Sequence, residues 1–349
     1  MRTEKTLFTN HEGARLSARL DKPIGGPPRA FALFAHCFTC GKDLSVIRRI
    51  SEALTSRGIA VFRFDFTGLG ESDGDFADTS FSSNVEDLVA AANFLRTNHE
   101  APQLLIGHSL GGAAVLMAAS QIEECSAVVT IGAPSEPSHV KRHLACSLEE
   151  IEERGVADVK IAGRTFQVKK QFLDDLDEAA SKERIAALGR ALLILHSPLD
   201  EVVGIDNASE IFRAARHPKS FVSLEGADHL LSRAKDASFA GDIIAAWAIP
   251  HLELETPESP LEGERVFVRT ERGYHTHVRT ERHGFELDEP KELGGTDRGD
   301  NPYAHLLAAL GACTSITLRM YADRKEWPLS AINVRLSHEK VHAKDCAEC

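Results

Sequence analysis

No apolar run in the 349-residue chain approaches the roughly 18 residues of a membrane-spanning helix. The amino terminus, MRTEKTLFTNHEG, lacks the apolar core of a secretory leader. Positive charge is in the minority, 40 Lys and Arg against 52 Asp and Glu. The resulting net charge of −12 disfavours a nucleic-acid groove or an anionic membrane surface as the main partner. Cysteine occurs in an odd number, 7, in a chain too long to depend on a disulfide framework. The expectation is reduced thiols and a cytoplasmic location. Few aromatics and 26% charged residues are otherwise those of an ordinary globular protein, long enough for about two domains with a full core in each.

Strand-length apolar runs recur through the first two-thirds: AFALFAH (30–36), IAVFRFDF (59–66), PQLLIGH (102–108), SAVVTIGA (126–133), ALLILHS (191–197) and SFVSLEG (220–226). They are continuous rather than alternating, as in parallel strands covered on both faces. Stretches with helical spacing separate them, among them LSVIRRISEALTSRG, SNVEDLVAAANFLRTN and SLGGAAVLMAASQIEE. KTLFTN and ARLSARLDKP, ahead of them, read as two antiparallel strands. The pattern predicts an α/β domain over 1–248 with a doubly wound, mostly parallel sheet. Residues 134–182 break the rhythm with charged helices and a hairpin turning at Gly163, and read as a short cap insert. Residues 249–264, rich in Pro and Glu, read as a linker. Beyond it, two alternating strands lead into DNPYAHLLAALGACTSITLRMYADRK, a long helix expected to be buried, with Asn301 as its cap. This predicts a separate α+β domain over 265–349.

The stretch LLIGHSLGGAA carries the chemistry. Gly107-His108-Ser109-Leu110-Gly111 is G-x-S-x-G between an apolar strand and a helix, the setting of a nucleophile elbow. A serine needs a positioned base, and the partners are expected past later strands in the order acid, then histidine. Asp200 in HSPLDEVV and His229 in EGADHLLS fit that order. Asp228 competes as the acid, but adjacency to His229 makes a side-chain pair awkward, and a turn or cap role is favoured. His36, His108, His139 and His143 are alternative bases; His36 is expected to brace its loop, and His139 and His143 fall in the insert.

With the triad order and DFTGLGESDG after the fourth strand, residues 1–250 resemble the α/β-hydrolase family. The resemblance implies a serine hydrolase of carboxylic esters or related small acyl compounds, needing no metal or organic cofactor. Its oxyanion donors would be the backbone N–H groups of Phe38 and Leu110. Cys37 stands where that family often has glycine. A zinc site at Cys37 and Cys40 would need two further ligands, and none is evident. The default is two small thiols packed beside the site, with a regulatory disulfide as the alternative.

Gly294-Gly295, Asn301-Pro302 and Cys313 within the long helix resemble the OsmC-like family of organic-hydroperoxide reductases. The resemblance implies Cys313 as a peroxidatic thiol and, from the intertwined dimers of that family, a homodimer. Candidate activating arginines are Arg269, Arg272, Arg279 and Arg282. The family's Glu after Asn-Pro is replaced by Tyr303 and Ala304, and its resolving cysteine lies further downstream than this chain extends, so the resemblance covers a truncated domain. A terminal zinc site from His338, His342, Cys346 and Cys349 is disfavoured, because in a strand the two histidines would stand about 13 Å apart.

Overall fold

The structure, a computed structural model, describes residues 1–24, 27–37, 40–161, 164–178, 182–254, 265–270, 273–280 and 284–338. The chain divides into two compact units, Met1–Pro257 and Glu258–Cys349. Among the described residues, no helix is long and apolar enough to cross a membrane.

The first unit opens with strands β1 (Arg2–Thr9) and β2 (Arg15–Lys22), paired antiparallel as expected. Next come β3 (Ala30–Ala35), α1 (Ser45–Ser56), β4 (Ile59–Phe64), α2 (Phe81–Asn98), β5 (Leu104–His108), α3 (Leu110–Ala118) and β6 (Ala127–Ile131). β3, β4, β5 and β6 are buried along their whole lengths, which is why their sequences run apolar without alternation. In α1, Val46, Ile47, Ile50 and Leu54 form one buried stripe at helical spacing. α2 starts on a capping box: the Ser80 hydroxyl accepts from the Ser83 amide at 3.0 Å, and the Ser83 hydroxyl accepts from the Ser80 amide at 2.8 Å.

The insert follows β6. It holds α4 (Leu148–Arg154), the antiparallel pair β7 (Val156–Ile161) and β8 (Arg164–Lys169), α5 (Lys170–Glu178) and α6 (Lys182–Ala186). The hairpin is present, although the turn at Gly163 lies outside the described residues. Val159, Val168, Phe172 and Leu176 join the same apolar cluster as Phe76 and α3, and Phe166 packs on Phe76 with ring centres 5.0 Å apart. The sheet then resumes with β9 (Ala191–His196), α7 (Asp206–Ala214), β10 (Lys219–Ser223) and α8 (Ala234–Ala248).

Eight strands form one sheet in the order β1-β2-β4-β3-β5-β6-β9-β10, parallel from β4 to β10. α1 and α8 cover one face and pack closely: a Cβ on Gly241 would stand 3.0 Å from Ala53 Cβ. α2, α3 and the insert cover the other face. The result is the expected doubly wound α/β architecture. One detail differs. β10 is not covered on both faces; it is the edge strand, half-buried, with Phe221 exposed.

The second unit contains an antiparallel meander of β11 (Val266–Thr270), β12 (Thr276–Thr280) and β13 (Gly284–Leu287), followed by α9 (Pro302–Arg324). Asn301 caps α9, its side-chain oxygen accepting from the Ala304 amide at 2.9 Å. The expectation of a buried helix is corrected. Ala322 is the buried residue of α9, whereas Leu306, Leu310 and Met320 are 66%, 56% and 67% exposed. The pattern is that of a core helix, but this chain offers it little cover among the described residues. A second correction concerns INVRLSHEKVHA (332–343), the strand assumed above in separating His338 from His342: its described part, 332–338, forms no strand. A strand exists only within a ladder, and this segment instead runs back along α9. Arg319 donates to the Leu329 carbonyl at 2.6 Å, Leu336 lies 3.4 Å from where a Cβ on Gly311 would be, and His338 stacks on Tyr303 at 4.7 Å. His342, Cys346 and Cys349 lie outside the described residues.

Candidate active site

Ser109 stands between β5 and α3 with φ +57° and ψ −128°, a conformation that costs a non-glycine residue energy and recurs at functional sites. Close packing enforces it. A Cβ on Gly107 would meet the Gly111 carbonyl oxygen at 2.2 Å, and one on Gly111 would meet the His36 carbonyl oxygen at 2.4 Å. The G-x-S-x-G glycines are therefore clearances: one lets the helix start fold back on the strand, the other lets the loop after β3 lie against that helix start. The Ser109 amide donates to the Ile131 carbonyl at 2.8 Å, which ties the elbow to the end of β6.

The Asp200–His229 pair lies against Gly132, the residue that follows that strand. His229 Nδ1 donates to Asp200 Oδ2 at 2.7 Å, and a Cβ on Gly132 would stand 3.1 Å from that oxygen and 3.3 Å from that nitrogen. Asp200 Oδ1 accepts from the amides of Val202 and Val203 at 2.9 and 2.8 Å. Burial raises the Asp200 carboxyl, but the hydrogen bonds from His229 and the two amides outweigh it and hold the group below the usual carboxylate range. The acid and histidine loops are also joined directly, since the Ser197 hydroxyl donates to the Ala227 carbonyl at 2.6 Å. Asp228 turns elsewhere and accepts from the Ser232 amide at 2.7 Å, the turn role expected of it.

His108, the x of the elbow motif, spans the two halves. Its Nε2 donates to the His229 carbonyl at 2.7 Å, and the two rings lie 5.0 Å apart. The residue before Ser109 is thus bonded to the His229 loop, although Ser109 Oγ has no hydrogen bond among the described residues. Such contacts often tighten only when substrate is bound. Burial pushes His108 down to about 3, and it lowers His36, whose Nδ1 donates to the Cys37 carbonyl at 2.8 Å. Both are neutral and tied to carbonyls, which removes them as bases. His36 braces its loop as expected. His139 reaches the Val202 carbonyl at 3.3 Å; the His143 side chain is outside what the structure describes.

The loop after β3 corrects the sequence expectation. Cys37 and Cys40 are not free thiols but a disulfide, formed across a turn in which the Cys40 amide donates to the Cys37 carbonyl at 3.1 Å. Phe38 lies outside the described residues. The Leu110 amide, the other expected oxyanion donor, is at the first position of α3 and has no partner among the described residues, as helix starts leave their amides.

Sequence reasoning missed the charged web that anchors this loop. Lys42, 2% exposed, donates from Nζ to Asp65 at 2.6 Å and to Glu71 at 2.8 Å. Its amide bonds Asp65 at 2.7 Å, and Arg63 holds the Lys42 carbonyl at 2.7 Å while pairing with Asp21. The glycines of DFTGLGESDG make room for the web, since a Cβ on Gly70 would stand 2.2 Å from the Asp65 carboxylate. The motif was visible in the sequence; its partner Lys42 was not.

Cys313 is exposed on α9, and no described thiol is bonded to it. Cys125 is buried, which pushes its thiol up to about 12 and leaves it inert. Arg269 and Arg279 lie on β11 and β12, while Arg272 and Arg282 fall outside the described residues.

Comparison with known proteins adds to this geometry. The family model for serine aminopeptidase, S33, matches residues 26–161, and that for OsmC-like protein matches residues 295–347. The esterase domain of a Rhodothermus marinus protein is 49% identical, with a TM-score of 0.60, over 72% of this chain and 99% of that one. The uncharacterized protein YfhR of Salmonella typhimurium is 25% identical over 232 residues, 65% of this chain and 74% of the relative. Mouse alpha/beta hydrolase domain-containing protein 10, at 21% identity and a TM-score of 0.60 over 71% of this chain and 99% of that one, shares the fold. The chain belongs to the α/β-hydrolase family, as an esterase-like hydrolase carrying an OsmC-like domain behind its catalytic fold.

Proposed function

We propose that the first unit cleaves carboxylic esters or related small acyl compounds through Ser109, His229 and Asp200. The observation that carries this reading is the 2.7 Å bond from His229 Nδ1 to a buried, ionised Asp200, beside a serine in a strained elbow. With Nδ1–H committed to Asp200, Nε2 is the free base. It takes the Ser109 proton as Oγ attacks the substrate carbonyl, and Asp200 stabilises the imidazolium that forms. The amides of Leu110 and Phe38 hold the oxyanion. His229 then returns the proton to the leaving alcohol, and water releases the acyl group by the reverse sequence. No metal or organic cofactor enters these steps. The kinship with an esterase domain supports an ester as substrate.

The acyl-enzyme is tested by partitioning. Esters with one acyl group and different leaving alcohols are expected to give the same ratio of hydrolysis to transfer onto added hydroxylamine, because they share an intermediate. A ratio that varies with the leaving group would contradict it.

The second unit supports a further reading, that of a dimerisation module. Leu306, Leu310, Cys313 and Met320 fall at i, i+4, i+7 and i+14, one exposed stripe of α9. An apolar stripe of this kind is covered in a stable protein, and the OsmC-like kinship supports a second copy as the cover. Light scattering on the full chain is expected to give twice the chain mass, falling to the monomer mass in Leu310→Glu. A monomeric full chain would refute the dimer. As a peroxidase, Cys313 is expected to consume hydroperoxide at most stoichiometrically, because a sulfenate needs a second thiol to turn over; sustained turnover that depends on Cys346 or Cys349 would refute this.

A further inference from the structure

His275, His277 and Glu286 converge on one side of the second unit's sheet. His275 and His277 are two residues apart, so they project to the same face, and Glu286 stands directly opposite His277 in the β12–β13 register. His275 Nε2 is 3.0 Å from one Glu286 oxygen, and His277 Nδ1 is 3.7 Å from the other. The two imidazoles are 4.6 Å apart at 71°, and a ligand atom from each of the three residues lies within 4.8 Å of the others. Bonds of about 2.0–2.1 Å to a tetrahedral ion place neighbouring donors about 3.3 Å apart. The two measured nitrogen–oxygen separations bracket that spacing.

A simple ion pair between Glu286 and His275 does not account for the turn of a second imidazole, through its Nδ1 edge, toward the same carboxylate. The opposite face of the sheet is occupied in a different way: Val278 is buried there, and Phe285 stacks on His305 of α9 at 4.8 Å. The histidine face is therefore not part of the packing between sheet and helix. Arg269, opposite His277 in the register, and Arg279 share it, so the Glu286 charge is partly offset.

We propose that His275, His277 and Glu286 bind one divalent transition-metal ion, zinc by their donor set, with a fourth position left to water or an exchangeable ligand. Because of the nearby guanidiniums, the expected affinity is micromolar rather than that of a closed structural site.

The test is zinc titration of the chelator-stripped full chain in competition with a chromogenic chelator. One equivalent is expected to bind, to be lost in His277→Ala, and to weaken about tenfold or more in Glu286→Gln. The glutamine keeps an acceptor for His275 and guards against a folding artefact, which circular dichroism also checks. Cys346→Ser/Cys349→Ser is expected to leave this equivalent in place. Cobalt(II) at the site should show visible ligand-field bands without a thiolate charge-transfer band. Undiminished binding in both folded His277→Ala and Glu286→Gln, no binding at all, or a thiolate band lost in the double cysteine variant would overturn the proposal.

Discussion

Replacing Ser109 with alanine is expected to lower turnover of a short-chain aryl ester about a thousandfold or more, with the fold intact. The size follows from the arrangement. Nucleophile and base act as one unit, so without the hydroxyl the His229–Asp200 pair can only activate water that the elbow was not built to place. His229→Ala is expected to fall nearly as far. Asp200→Asn is expected to lose somewhat less. Its remaining oxygen can accept from the Val202 and Val203 amides, but an amide NH2 facing His229 Nδ1 favours the wrong tautomer. Asp228→Asn should be close to wild type, because Asp228 serves the Ser232 amide. Steady-state rates on one ester check all four. Full activity in Ser109→Ala would sink the mechanism, and loss in Asp228→Asn with activity kept in Asp200→Asn would reverse the acid assignment.

A second large effect is expected at Lys42, which touches no substrate in this account. Lys42→Met keeps the side-chain length but leaves Asp65, 2% exposed, without its cationic partner. Removing one member of a buried pair typically costs about 3–5 kcal/mol. The lower end is expected, because the Lys42 and Glu71 amides still bond the carboxylate at 2.7 and 2.9 Å. At about 2–4 °C per kcal/mol for a unit of this size, the melting temperature should drop visibly. Denaturant unfolding measures it. Lys42→Met/Asp65→Asn should recover part of the loss by removing the orphaned charge. A change below about 1 kcal/mol would mean that the web is looser than its distances imply.

What could be read from the sequence was local or regularly spaced. The elbow is five adjacent residues, and the parallel strands announce themselves by unbroken apolar runs. Asp200 and His229 could be named as candidates because each follows a strand in the order that a sheet of this kind allows, and the two side chains do bond each other at 2.7 Å. Contacts between distant segments could not. Nothing near Lys42 indicates that its partners, Asp65 and Glu71, sit 23 and 29 residues away. His108 looked like a candidate base, whereas its carbonyl bond to the His229 loop depends on tertiary placement across 121 residues. For Cys37 and Cys40, the spacing admits free thiols, a metal or a disulfide, and only the approach of the two residues in the fold selects the last. In α9 the apolar pattern reads as burial but not as burial by what, so a helix that the described residues leave largely uncovered reads as a core helix. The strand reading of 332–343 does not hold over its described residues, 332–338, for a related reason: alternation describes a side-chain pattern, and a strand also needs a neighbour.

The most direct test of the central claim is covalent. The full chain is treated with an aryl phosphonate that mimics the tetrahedral intermediate, then digested and sequenced by mass spectrometry. The account predicts one phosphonyl group per chain, on Ser109, formed slowly in His229→Ala and absent in Ser109→Ala. An unmodified chain, or equal labelling in Ser109→Ala, would contradict it.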